Sequence, residues 1–477
     1  MKKLTVWALL ATLVVAGSAF AGPSRGVAAD ATFPTGAPAT TNNDDSCDIG
    51  VAPAATLLLP YFEVDLTSRA GETTIFTVTN VSNVEQVAHI TLWTDLSYPV
   101  IDFNVYLTGY DVQSINLYDV IALGQIAPAR GTGFEDSGSP EGDFSGDNVL
   151  VDEDTCRFLR VDVGAQYRQR MQQAFTVGSI PALGTFPACS NIGSSLANGL
   201  NQNGRRNGNA IGYATIDVAS ICGTQLPSDP TYFTTGEALF DNVLIGDYQQ
   251  VNAGQFYAQG NPMVHIRAIP EGGEPGDGTV TNFDRTFYSR YQADATPTAD
   301  RRQPLPSQFA ARFIDGGAGS FETFYKIWRE GNVEGASDCG DVDENITNVT
   351  EFVTFDEEEN AVGAAPDDGP ISPPITLEFT LAETGLYEMD DTDDTFPAAF
   401  EDALAGWVYM NLDNDDDDEI ASQNWVIVSM RAQGVYSVDF DAAWLGNGCS
   451  PAAELSEVDP QGDAVIGPAP NETPDLP

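Results

Sequence analysis

Apolar and polar residues alternate with a period of two along much of the chain, the spacing at which successive side chains reach opposite faces of a strand. Thr74-Ile75-Phe76-Thr77-Val78-Thr79 and Ala88-His89-Ile90-Thr91-Leu92-Trp93 carry this pattern on either side of the turn-forming Asn-Val-Ser-Asn at 80–83. They read as antiparallel neighbours. Residues 102–107 (DFNVYL) and 112–117 (VQSINL) continue the series at intervals of about ten residues, the rhythm of a sandwich or barrel. Further strand-like runs fall at 210–218, 262–269, 375–381, 407–411, 424–431 and 434–441. Helical spacing is scarce. In 165–175 (AQYRQRMQQAF) Tyr167, Met171 and Phe175 form one stripe, which predicts a helix, and a second short helix is expected at 398–405. No fixed-period repeat emerges, which argues against solenoids and propellers. The expected fold is mainly β, built of antiparallel β-sandwich modules with a few short inserted helices.

Composition divides the chain into regions. Lys2 and Lys3, the apolar run Leu4–Ala16 and the small-x-small Ala19-Phe20-Ala21 make residues 1–21 an expected signal peptide cut after Ala21. Residues 22–46, rich in Ala, Gly, Pro, Thr and Asn, read as a disordered leader, and 450–477 as a disordered acidic tail. Between them we expect a larger β-rich domain, 47–330, with a loop and helix insertion around 131–206. A smaller β-rich region, 331–449, follows and can pack on the first. No later stretch approaches the ~20 apolar residues of a membrane helix, so no transmembrane anchor is expected after signal cleavage.

Charge changes the picture most. The chain has 70 acidic and 20 basic residues, a formal net charge of -50, and Lys326 is its only lysine beyond residue 3. Charged residues make up 19%, below the ~25% usual for globular domains, so the imbalance reflects missing bases. Such a surface repels nucleic acid and anionic lipid and attracts cations, so no nucleic-acid partner is expected. The six cysteines, Cys47, Cys156, Cys189, Cys222, Cys339 and Cys449, are even in number and include no CxxC pair. In an exported chain that favours disulfides. Among the many pairings available, one set is Cys339 with Cys449, Cys156 with Cys189, and Cys47 with Cys222; the sequence leaves the others open.

Candidate chemistry is thin. The two histidines, His89 and His265, both sit in strand-like runs where a structural imidazole is expected, and neither a GxSxG elbow, a papain-like cysteine context nor an HExxH motif is present. This disfavours Ser or Cys hydrolases and zinc enzymes. Gly316-Gly317-Ala318-Gly319 lacks a following GK[ST] and reads as a glycine turn. Carboxylate pairs alone can run glycoside hydrolysis, but no pair stands out here.

The acidic run Asp413-Asn414-Asp415-Asp416-Asp417-Asp418-Glu419 lies between apolar strands. Ca²⁺ takes about six to eight oxygens, and Asp413, Asp415, Asp417 and Glu419 are the candidate ligands; the other reading is a solvated turn. It is not an EF-hand, because Asp418 and Asn424 stand where that loop needs Gly and Glu. Asp390-Asp391-Thr392-Asp393-Asp394 is a second, weaker candidate. Arg267, Arg285, Arg290, Arg301, Arg302, Arg312, Lys326 and Arg329 gather in a chain otherwise poor in bases. They are expected to neutralise carboxylates inside or between sheets, with a site for a carboxylated ligand as the alternative.

LLLPYFEVD (57–65), AHITLWTD (88–95), FNVYLTGYDVQSINLYD (103–119), VHIRAIPEGG (264–273) and DRRQPLPSQFAARFIDGG (300–317) resemble segments of exported bacterial β-rich proteins of unassigned function. The resemblance implies an outward-facing β-rich protein and carries over no site. The expected function is a non-enzymatic structural or binding component of the cell envelope or secreted layer, with extracellular polymer or an envelope protein as partner. The alternative is a secreted carbohydrate-active protein, a glycoside hydrolase or carbohydrate-binding chain that uses carboxylate pairs.

Overall fold

The computed structural model describes residues 51–126 except 96 and 98, 143–145, 161–162, 165–176, 209–219, 225–227, 232–233, 238–268, 286–288, 300, 302–317, 320–330, 348–349, 351–358, 361–362, 377–378, 383–388, 404–412, 423–432 and 436–445. In chain order its strands begin with β1 (Thr56–Asp65), β2 (Glu72–Asn80), β3 (Gln86–Thr94), β4 (Pro99–Leu107), β5 (Val112–Asn116), β6 (Gln125–Ile126), β7 (Asp143–Ser145) and β8 (Val161–Asp162). Next come β9 (Asn209–Ala219), β10 (Leu244–Asn252), β11 (Tyr257–Pro262), β12 (Val264–Ile266), β13 (Gln308–Ile314), β14 (Phe321–Arg329), β15 (Asn348–Val349) and β16 (Glu351–Asp356). The last are β17 (Ala361–Val362), β18 (Leu377–Glu378), β19 (Thr384–Glu388), β20 (Ala405–Asn411), β21 (Asn424–Ala432), β22 (Tyr436–Asp441) and β23 (Ala443–Trp444). Helix α1 spans Ala165–Thr176, and a π-helical turn spans Tyr118–Ala122.

Strands β12-β1-β9-β3-β4-β7 form one antiparallel sheet and β11-β10-β2-β5 another. The chain alternates between them, with β1, β3 and β4 in the first and β2 and β5 in the second, so the runs at 74–79 and 88–93, expected to be neighbours, cross between opposite sheets instead of pairing. Their inner faces meet closely at Gly246 of β10, where an added Cβ would stand 2.8 Å from Leu57 Cδ1 of β1. Strands β17-β16-β20-β13-β23 and β19-β14-β21-β22 build a second sandwich. Phe309 of β13 meets Trp425 of β21 edge to face at 6.2 Å, and Tyr325 Oη of β14 donates to Arg312 O of β13 at 3.3 Å. The mainly β fold with antiparallel sandwiches therefore stands as expected from the alternation.

Strand β1 (TLLLPYFEVD) does not alternate, because it is buried along both faces. One face packs on the β10 sheet, and the other side of the strand meets the second sandwich. Its register with β9 shifts between Leu59 and Phe62. Pro60 has no N–H to give to a ladder, so an irregularity falls there, as expected for proline in a strand. The free Pro60 carbonyl accepts Thr384 Oγ1 of β19 at 2.5 Å, and Tyr61 packs with Ile211, Phe324 and Leu386.

The helix expected at 165–175 is α1. Met171 and Phe175 are buried, Phe175 lies edge-on to Phe62 at 5.4 Å, and Tyr167 Oη donates to Val100 O at 3.0 Å. Gln172 and Arg168 side chains donate to Ile121, Ala122 and Leu123 carbonyls, which caps the π-helical turn that α1 packs against. Of the expected glycine turn, Gly316 and Gly317, between β13 and β14, take φ of +66° and +69°, and Gly316 and Phe321 exchange backbone hydrogen bonds; Ala318 and Gly319 lie outside the described residues. Of the helix expected at 398–405, only Leu404 and Ala405 are described, and Ala405 opens β20 rather than closing a helix. Of the run 375–381, Leu377–Glu378 forms a two-residue strand.

β13 and β14 precede Gly331, yet they pair with β20, β23, β19 and β21, which follow it. The two sandwiches share one continuous cluster of buried apolar residues running from Ala54 to Ala442. Odd-numbered residues of β14, such as Tyr325 and Ile327, face β13. Even-numbered ones face the first sandwich, where Trp328 meets Tyr213 edge to face at 5.9 Å. The edge strands β11 and β22 run side by side, with Ser437 Oγ donating to Ala258 O at 2.8 Å and Asn261 Nδ2 to Asp441 Oδ1 at 2.6 Å.

Candidate functional site

All six cysteines lie outside the described residues, as do Asp413, Asp415, Asp417 and Glu419, the run 390–394, residues 1–21, the leader 22–46 and the tail 450–477. Among the described residues, no group of three or more His, Cys, Asp or Glu is placed to hold a metal ion, and no helix is long and apolar enough to cross a membrane. What the described residues do bring together is charge, in two buried clusters.

The first cluster surrounds Arg302, which lies at 0% exposure against the face of the β1–β9–β3 sheet that is turned away from β10. Its Nη1 meets Asp300 Oδ1 at 2.9 Å, its Nη2 meets Asp217 Oδ1 of β9 at 3.4 Å, and its Nε donates to Thr56 Oγ1 of β1. Asp217 also accepts Thr56 Oγ1, Tyr232 Oη at 2.8 Å and Tyr288 Oη at 2.9 Å. Asp300 Oδ2 accepts the Tyr288 N–H at 3.1 Å. The guanidinium stacks near the rings of Phe233, Phe240 and Tyr288. Burial alone would lower the Arg302 pKa, but Asp217 and Asp300 outweigh it and leave it raised. Burial, then the Asp217 charge, holds Tyr232 and Tyr288 well above the ordinary tyrosine value, so both remain donors. The cluster is closed, charged and hydrogen-bonded throughout, which is the condition for a buried ion pair to be tolerated.

His89 borders this cluster in β3. Its Nδ1 is 2.9 Å from Asn104 Oδ1 and its Nε2 4.0 Å from Asp102 Oδ2, while burial holds its pKa below the ordinary value. His265 of β12 accepts the Gly246 N–H at its Nε2, 3.1 Å away, and so links the two sheets of the first sandwich. Both imidazoles are interior structural groups, as their strand positions led us to expect.

The second cluster fills the seam between the sandwiches. Lys326 of β14 and Asp439 of β22 meet at 2.5 Å with both side chains at 0% exposure. Ser429 Oγ of β21 donates to Asp439 Oδ1 at 2.5 Å, and Tyr248 Oη of β10 donates to Asp439 Oδ2 at 3.3 Å. Lys326 Nζ lies 5.5 Å from the Tyr248 ring centre. Burial lowers the Lys326 pKa by more than Asp439 restores it, and burial followed by the Asp439 charge holds the Tyr248 phenol well above its ordinary value. Beside this pair, Gln259 Nε2 donates to Gln250 Oε1 at 3.0 Å.

Further along the seam, Arg431 donates to Tyr257 Oη at 2.9 Å and lies over the Tyr257 and Phe324 rings at 4.7 Å each. Glu63 accepts Tyr61 Oη and Asn209 Nδ2 at 2.8 Å each. Burial, reinforced by Glu63, raises the Glu72 pKa to about 7, and burial raises that of Asp441 to about 6. Acids thus outnumber bases in the seam, and burial moves the titration of two of them up towards neutrality.

Among the bases gathered in sequence, Arg302 and Lys326 neutralise internal carboxylates, and buried Arg329 donates to Leu412 O at 3.3 Å. Arg312 is exposed on β13, and Arg285, Arg290 and Arg301 lie outside the described residues. Sequence reasoning identified the bases without their partners, Asp217, Asp300 and Asp439. The usable signal was a single lysine within an apolar run, Thr323–Trp328.

Comparison with family models, with curated proteins and with solved structures finds no match for this chain.

Proposed function

We propose that this chain is an exported, non-enzymatic structural or binding component of the cell envelope or secreted layer. The observation that carries the reading is where the interior charge goes. Arg302 and Lys326 are buried with their carboxylates, the one against the β1–β9–β3 sheet and the other at the seam, so their chemistry is spent on holding strands and sheets together. The excess of acids over bases fits an exterior rich in salt or divalent cations, where carboxylate repulsion is screened. The signal-like first 21 residues and the resemblance to exported bacterial β-rich proteins support export, and the even cysteine count supports disulfides there.

The test is fractionation of cells that make the full chain. Recovery in the periplasm, envelope or medium, shortened at Ala21 and bound to a polymer or envelope protein, agrees with the proposal. Full-length chain in the cytoplasm would overturn it. Calcium at 413–419 belongs to the same reading: millimolar Ca²⁺ then raises the melting temperature beyond matched ionic strength of Na⁺, and replacing Asp413, Asp415 and Asp417 by Asn removes that increment.

The carbohydrate-binding reading has one observation of its own. Phe256, at the β10–β11 turn, is 85% exposed with φ of +57°, and Tyr436, at the start of β22, is 70% exposed. The Ser437–Ala258 hydrogen bond sets these two aromatic residues at the same end of the seam. Exposed rings of this kind stack on sugars. Retention on an insoluble polysaccharide that is lost with Phe256→Ala and Tyr436→Ala would favour this reading over the purely structural one.

A further inference from the structure

We propose that Lys326 and Asp439 condense into an intramolecular isopeptide bond that ties β14 to β22 across β21. The proposal goes beyond the envelope reading and does not depend on it.

Register places the two groups together. β14 and β22 are the two neighbours of β21, with Lys326 opposite Ile427 and Asp439 opposite Ser429. Ile427 and Ser429 are two residues apart, so Lys326 and Asp439 project from the same face of the sheet. That face is covered by the first sandwich, through Tyr248 of β10 and the Gln250–Gln259 pair. Nζ therefore contacts the Asp439 carboxyl in a site closed to bulk water, at a fixed geometry, which replaces an encounter in solution by a reaction within one molecule.

Burial also supplies the reactive protonation states. In a low dielectric the ammonium–carboxylate pair is costly, and one proton transfer from Nζ to the carboxyl gives a neutral amine and a carboxylic acid. The lowered Lys326 pKa is in keeping with that transfer. The Nζ lone pair then attacks Asp439 Cγ. Oδ2, which Nζ contacts, takes the proton and becomes the leaving hydroxyl beside Tyr248 Oη, and Ser429 Oγ, donating to Oδ1, is placed to stabilise the oxyanion of the tetrahedral intermediate. The C–O bond to the other oxygen breaks as that oxygen takes up a proton from Nζ and leaves as water. One N–C bond forms, one C–O bond breaks and one water departs; nothing is oxidised or reduced, and no co-reactant is needed.

Arg302 offers a contrast within the same chain, because a guanidinium stays protonated in proteins and is no nucleophile. Among the described residues the buried bases are Arg302, Arg329 and Lys326, and only the last is a lysine.

The test is a digest of the full-length folded protein. After reduction and denaturation, trypsin cuts at Arg312, Arg329 and Arg431 in either case. An unlinked chain is also cut after Lys326 and yields the free peptide 313–326. A linked chain resists cleavage there and yields residues 313–329 joined to 432–477, lighter than the two peptides together by one water. Fragmentation must place the junction at Lys326 and Asp439, and Asp439→Ala and Lys326→Gln must each abolish the linked species. Free 313–326 with no linked peptide, from wild-type protein whose circular dichroism shows it folded as β-sheet, overturns the proposal whether or not either variant folds.

Discussion

The two buried charge clusters differ in a single choice of base. On the face of the β1–β9–β3 sheet turned away from β10, Arg302 faces two carboxylates, and hydroxyls, a backbone N–H and aromatic faces complete the shell. At the seam Lys326 faces Asp439, with Asp441 on the same strand as Asp439 and Glu72 of β2 within the field of Lys326, their values raised to about 6 and about 7. A fork of fixed charge makes a permanent clasp, whereas an amine that can yield its proton makes a place where protonation, and with it bonding, can change. The lesson is that the seam joins a base that can give up its proton to acids pushed upward by burial, whereas the Arg302 cluster is built on a charge that stays fixed.

The largest effect in this comparison should come from Arg302. Arg302→Met leaves Asp217 and Asp300 buried without their cation and is expected to cost about 3–5 kcal/mol in urea unfolding. Arg302→Lys should recover only part of this, because an ammonium cannot bond Asp217, Asp300 and Thr56 at once in the geometry of the fork. A cost below about 1 kcal/mol for Arg302→Met would mean the carboxylates are reached by water, contrary to their burial.

The seam should instead show itself in pH. Glu72 has an ordinary value of 4.5 and a folded value of about 7, so between these limits the native chain holds a proton that the unfolded chain has lost. Stability conferred by that group is complete below the lower value and falls as pH rises through the window, by up to about 3 kcal/mol. Asp441, moving from 3.8 to about 6, acts in the same direction at lower pH. Denaturant midpoints measured from pH 4.5 to about 8 in high salt, which screens surface repulsion, should therefore decline. Glu72→Gln should flatten the decline; an unchanged slope would assign it to the surface acids instead.

The smallest effect is expected from an exposed pair. Arg69 meets Asp119 at 3.2 Å in largely open surroundings, and Arg69→Ala should change stability by no more than about 0.5 kcal/mol. The series of Arg302, Glu72 and Arg69 ranks the charges by burial rather than by distance to a partner.

How much of this was legible in sequence follows from the same geometry. Alternation identified β2 because its residues take buried and partly open positions in turn, and it identified α1 from the Tyr167-Met171-Phe175 stripe. It does not point to β1 or β14. β1 is covered on both sides and reads as an unbroken apolar run containing a proline, and β14 (FETFYKIWR) reads as mixed because its Lys and Arg are buried partners rather than solvated residues. The cluster of bases was visible as such, and its role in neutralising internal carboxylates could be reasoned from the shortage of bases. Its partners could not, because Lys326 and Asp439 are 113 residues apart and only the pairing of β14, β21 and β22 brings them together. The acid-rich composition after Gly331 begins directly after β14 and its neighbour Glu330, so it separates strands that share sheets.

The central claim is that the seam makes the two sandwiches one cooperative body. Trp407, Trp425 and Trp444 lie in the second sandwich, Trp328 faces the seam and Trp93 lies in β3 of the first, so tryptophan fluorescence is weighted towards the second sandwich and the seam, while far-ultraviolet circular dichroism reports on the strands of both. The most direct test is urea unfolding of the reduced full chain followed by both signals at once. The shared core and buried seam predict one transition with coincident midpoints. Two separated transitions, with fluorescence changing while half of the β signal persists, would contradict it.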